Sequence, residues 1–164
     1  METEGNLKQY QKINVLIWVS IISFVIILTF LGYFLDSLGT MLPAQSALQI
    51  NQVLFLLAVV IAFGILFFKR SLFNPKKIIV SALDQSLQGK IDQTLAKLRR
   101  NYIIVWAMGE SIGIIGFINY MVTIDIQYLL VFSVVSVYSI LINMPRISVA
   151  ERCVELVKEN QSYN

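Results

Sequence analysis

One acid stands in the apolar part of this 164-residue chain where chemistry could be done: Glu110, inside the otherwise uncharged residues 102–124. Arg100 lies ten positions before it, so at about 1.5 Å per helical residue Glu110 reaches roughly 15 Å into a hydrocarbon layer of about 30 Å. An ionised side chain at that midplane depth is disfavoured by something on the order of several kcal/mol. We therefore expect a protonated, hydrogen-bonded Glu110 in the resting state. Counting to the same depth along the other apolar runs brings up oxygen donors. Ser20 and Ser23 share a face of residues 13–35, and Ser133 and Ser136 share a face of residues 126–144, with Tyr138 and Ser139 close by. Residues 48–68 offer only Ala58 and Ala62 at that level. Glu110 is thus expected to face the first and fourth runs, with the four serines as its polar cluster. A neutral acid held by serines can pin helix register, and a midplane acid can equally bind a proton or cation in transit.

Beside the acid, Gly109 and Gly113 form a GxxxG pair and Gly116 follows three residues later. Small residues at that spacing let another helix backbone approach closely, which is how helices associate where lipid removes the hydrophobic drive between them. The glycines are accordingly read as helix-packing residues.

The elements that must position these groups follow from composition. The chain is 57% hydrophobic and 14% charged, and its mean hydropathy is +0.71, well above a soluble domain of this size. A net charge of +3 then serves first to orient the protein in a membrane. With no histidine and one cysteine, Cys153, the residues that build zinc, haem, iron–sulfur and triad chemistry are missing. We expect no catalytic residue, no metal site and no cofactor, and Cys153, in the polar tail, is read as a reduced, unpaired thiol.

Four uncharged or nearly uncharged runs, residues 13–35, 48–68, 102–124 and 126–144, have lengths suited to crossing a bilayer. The first exceeds the 7–15 apolar residues of a signal peptide and is read as retained, although Ala44 and Ser46 could sit at a cleavage site. Lys and Arg outside the runs number two before the first (Lys8, Lys12), eight between the second and third, and three after the fourth, with none in the other two loops. All thirteen fall on one side, which predicts cytoplasmic termini and a cytoplasmic central loop. The expected fold class is an all-α integral membrane four-helix bundle with short cytoplasmic amphipathic helices, one domain over residues 1–164.

In the central segment, residues 74–101, Asn74-Pro75 reads as a helix start, and Ile78, Ile79, Ala82, Leu83 and Leu87 recur at helical spacing with Gly89 as the stop. Lys76, Lys77, Asp84 and Gln85 on the opposite edge give an amphipathic helix, lying either at the membrane surface or against the bundle. The pattern resumes with Ile91, Leu95, Leu98 and Tyr102, and nothing interrupts it before the third span. Lys69, Arg70, Lys90, Lys97, Arg99 and Arg100 would meet anionic headgroups, each worth on the order of 1 kcal/mol. Aromatic interleaving is absent, so no nucleic-acid partner is expected. The tail, residues 145–164, places Ile147, Ala150, Val154 and Val157 on one stripe of a short helix.

From Ala107 through Glu110 to Gly116 and Phe117, the third span resembles the ion-binding helix of the ATP synthase rotor subunit c, where an acid follows a small residue by three positions and precedes a glycine by six. That resemblance implies a proton or sodium site at Glu110. It covers about eleven residues; the repeated glycines of that family's inner helix and its short polar loop have no counterpart here. Taken whole, the chain resembles the uncharacterised small bacterial membrane proteins that carry an acid after a basic helix and end in a span followed by Pro, a group that implies no activity. Two functions remain: a non-enzymatic accessory or scaffold subunit of a larger assembly in the bacterial inner membrane, in contact with other subunits or copies of itself, or a transporter or channel subunit using Glu110 as its ion-binding acid. A membrane enzyme is a third class, for which no paired acids, metal ligands or nucleophile–base set is visible.

Overall fold

The computed structural model describes residues 2–39, 47–74, 78 and 86–162, and among them it is all-helical. Five helices follow in order: α1 (Glu2–Ser37), α2 (Ala47–Leu72), α3 (Leu87–Thr123), α4 (Ile126–Leu141) and α5 (Ile147–Ser162). Three of them, α1, α2 and α3, are long and apolar enough to cross a membrane. With 16 residues α4 is apolar but shorter.

The ends of α3 and the start of α4 have local causes. Ser86 caps α3, its hydroxyl accepting from the Gly89 N–H at 3.2 Å. Gly89 therefore opens a helix instead of closing one, which corrects the sequence expectation: glycine favours the end of a helix only when nothing upstream caps a new one. The amphipathic helix expected from Asn74 to Gly89 otherwise falls mostly outside the described residues. From Leu87 the third helix runs unbroken for 37 residues, about 55 Å at helical rise and well beyond a hydrocarbon layer of about 30 Å. It stops where Ile124 takes a left-handed conformation, φ 58°, its N–H bonded to the Tyr120 carbonyl at 2.7 Å. Such a backbone costs a β-branched residue about 1–2 kcal/mol. It lets the next residue, Asp125, cap α4 by accepting from the Gln127 N–H at 2.9 Å.

At the centre lies α3, in contact with all four other helices. Half of its most apolar stretch is buried, against 11% for α1 and for α2. Opposing residues fix the directions. Gly109, Gly113 and Gly116 meet Ile140, Ser136 and Phe132, so α4 runs antiparallel to α3. Asn101 and Asn119 of α3 bond Leu72 and Asn51, so α2 is antiparallel as well. Gly113 also meets Val25, and Arg99 stacks on Tyr10, so α1 is parallel to α3.

The described basic residues gather at the end that holds the start of α1, the end of α2, the start of α3 and all of α5. There the apolar stripe of α5 (Ala150, Val154, Val157) packs on Ile91, Leu95 and Leu98 of α3 and on Tyr10 of α1, burying Cys153 with it. A second, smaller cluster joins Ala58 and Ile65 of α2 to Val105, Ile112 and Ile115 of α3 and Phe132 of α4.

Candidate functional site

The glycine face of α3 is filled by its neighbours. A Cβ on Gly109 would stand 2.8 Å from Ile140 Cγ1, and one on Gly113 would stand 3.1 Å from both Ser136 Oγ and Val25 Cγ1. On Gly116 it would overlap Phe132 Cβ. These three glycines are what α3 turns toward α4 and α1. The close approach brings Ser136 Oγ to 2.7 Å from the Gly109 carbonyl, to which it donates. A second interhelical hydrogen bond runs from Thr29 Oγ1 of α1 to Ser133 Oγ of α4 at 2.8 Å.

Glu110 does not share that face. Successive residues of a helix are turned by about 100°, so the residue after Gly109 lies at the edge of the packed surface, where Glu110 is partly buried. Its neighbours round the same side, Ile103, Ile114 and Met121, are exposed. Among the described residues no hydrogen bond or ion pair reaches the Glu110 carboxyl. The four serines are not brought to it. Ser20 is exposed and donates back to the Leu16 carbonyl at 2.9 Å, Ser23 is exposed, and Ser133 and Ser136 are engaged as described. The expected polar cluster of Glu110, Ser20, Ser23, Ser133 and Ser136 is thus corrected to two separate helix-to-helix bonds and an acid set apart from both. The reason is azimuth: a common depth in a bundle does not give a common face.

The basic residues also divide. Arg100 and Arg70 are exposed, while Arg99 lies over the Tyr10 ring, 5.5 Å from its centroid, with its Nε buried. Lys69 lies beside a cavity described below. Cys153, expected in a polar tail, is 1% exposed. Burial pushes its thiol above the ordinary range against the smaller opposing effect of Arg152, so it is held protonated and unreactive.

Several polar groups that carry the packing were not singled out from sequence. Trp18 of α1 and Trp106 of α3 donate their indole N–H groups to the carbonyls of Ile140 and Asn143, at 3.0 and 2.8 Å. The Ile140 carbonyl also accepts from the Asn143 N–H at 3.2 Å, so the Trp18 indole adds a second donor to it, and both indoles tie the end of α4 to its neighbours. At the opposite end Asn119 Nδ2 donates to Asn51 Oδ1 at 2.7 Å. The signal for the indoles was available, since tryptophans at both membrane interfaces anchor helix ends; the asparagine pair, 68 residues apart, left none. Among the described residues no group of three or more Cys, Asp or Glu side chains could hold a metal ion.

No protein-family model, curated protein or solved structure matches this chain.

Proposed function

We propose that the chain is a four-span integral protein of a bacterial inner membrane, with both termini cytoplasmic, and that it works as a non-enzymatic accessory or scaffold subunit of a larger membrane assembly. Four runs of suitable hydropathy and thirteen basic residues on one side of them support the topology. Although α4 is the shortest of the four runs, it lies antiparallel along the glycine face of α3, and the two indoles bond the carbonyls of Ile140 and Asn143 where it ends.

The observation that carries the accessory role is the place of Glu110. An acid at midplane depth, on the edge of the packed surface and flanked by exposed Ile103, Ile114 and Met121, is suited to a polar group carried by another chain. Intramembrane acids are found against such partners because lipid offers none. The ion-binding alternative would need oxygen ligands around the carboxyl, and the four serines stand elsewhere.

Gentle extraction followed by native mass spectrometry tests this. The wild-type chain is expected to travel with other subunits, Glu110→Gln to retain them, and Glu110→Leu to lose about five- to thirtyfold in association, the worth of one interhelical hydrogen bond of roughly 1–2 kcal/mol. A wild-type protein that is always monomeric would sink the proposal. Proton or sodium flux into liposomes that Glu110→Gln abolishes, with folding intact, would favour the ion-binding reading instead.

A further inference from the structure

A cavity of about 530 Å³ opens at the basic end, where the end of α2, the start of the apolar part of α3, and the α4–α5 connection meet. Three cations from three chain segments line it: Lys69 of α2, Arg146 just before α5, and Arg152 one turn into α5. Its described lining includes no carboxylate. Glu151 and Glu155 are exposed on α5, outside it. Like charges gathered around a hollow repel one another unless an anion sits among them. Ser148, in the first turn of α5, also lines the cavity, which places the positive end of a 16-residue helix dipole there.

Apart from Asn143, the remaining wall is apolar and aromatic. Phe73 and Tyr102 line it with their rings 4.6 Å apart between centroids. Lys69 directly follows Phe67 and Phe68, which are exposed on α2, so the cations begin where the apolar belt ends. A cavity with a cationic head and an apolar flank at that level has the shape of chemistry found in one kind of molecule: an anionic phosphate group attached to an apolar body.

We propose that this cavity binds the phosphate of an anionic phospholipid headgroup, with Lys69, Arg146 and Arg152 as its charge-bearing contacts and Phe73 and Tyr102 against the glycerol and upper acyl region. The site rests on the membrane reading and is independent of the accessory role. It differs from general attraction of a basic surface because three particular charges, and not the others at the same end, carry it.

The test uses the full chain, purified in detergent and delipidated, then titrated with phosphatidylglycerol, with phosphatidylcholine and with inorganic phosphate, bound species being counted by native mass spectrometry. One triple variant removes the cavity charges (Lys69→Gln, Arg146→Gln, Arg152→Gln). Another removes three charges at the same end that do not line it (Lys8→Gln, Lys90→Gln, Lys158→Gln). Phosphatidylglycerol is expected to bind at least tenfold tighter than phosphatidylcholine, the cavity variant to lose at least tenfold, and the control variant to stay within twofold of wild type. Inorganic phosphate is expected to compete only weakly. Equal losses in the two variants would overturn the proposal, as would equal affinity for the two lipids. Inorganic phosphate binding as tightly as the lipid would overturn the lipid assignment and leave a soluble phosphate site. Should the triple variant lose its helical circular dichroism, Arg152→Gln alone, at an exposed position, decides the question by the same titration. Release of the wild-type protein from membranes by alkaline carbonate would instead remove the membrane reading itself.

Discussion

Leu98, Ile91 and Val157 at the basic end are buried in a cluster of aliphatic and aromatic side chains drawn from four helices, whereas Phe63, Leu66 and Phe67 on α2 point outward and are at least 60% exposed. In the first region the large apolar groups are inside and the charges outside, the arrangement water imposes. In the second the large apolar groups stand on both sides: Ile140, Val25 and Phe132 fill the glycine face of α3 and Asn119 meets Asn51, while the bulky residues of the outer face of α2 point away from the protein. On the proposed membrane placement this order has a reason: lipid tails are as apolar as leucine, so burying leucine gains little, and close backbone contact and hydrogen bonds hold the helices instead. One chain thus uses two ways of holding helices together, and α3, running through both, is where they join.

The sharpest way to break that contrast is at Leu98, which is 0% exposed. Leu98→Ala is expected to cost about 2–5 kcal/mol, read as a lowered midpoint of thermal unfolding in detergent. Gly116→Ala attacks the other region, where the added methyl must displace Phe132. It should cost about 1–3 kcal/mol and weaken disulfide cross-linking between cysteines engineered at the α3–α4 contact. Ser136→Ala removes one interhelical bond while the Gly109 carbonyl keeps its place in the α3 ladder. The expected loss is about 0.6 kcal/mol, below the roughly 1.7 kcal/mol seen at most for such bonds in membranes, measured by unfolding in mixed micelles. Phe63→Leu, at a position 69% exposed, should move stability by less than about 0.5 kcal/mol by the same measurement. A larger loss at Phe63 than at Ser136 would reverse the comparison.

The length of α3 could be read from Ile91, Leu95, Leu98 and Tyr102, because their spacing is helical and no breaker separates them from the span that follows. Its packing face was legible in the three glycines for a similar reason, since small residues three or four positions apart define one side of a helix. The place of Glu110 along α3 follows from counting residues, but its direction does not. The acid is one residue, and so about 100°, away from Gly109, and depth alone carries no azimuth. Gly89 misled because its meaning depends on Ser86, three residues upstream. Cys153 lies one position from Val154 and looks polar among charged neighbours; only the docking of α5 on α3 and α1 buries it. The bond of Asn119 to Asn51 joins residues 68 apart with nothing local to mark it, whereas the two tryptophans were legible as helix-end anchors and only their partner carbonyls were not.

The two indole bonds at the end of α4 have an optical consequence. Trp18 and Trp106 are the only tryptophans in the chain, and each donates to a carbonyl at that one helix end. All indole emission therefore originates at the junction of α1, α3 and α4, with Trp106 fully sheltered and Trp18 partly so. The unlabelled protein carries its own fluorescent gauge of whether α4 is seated.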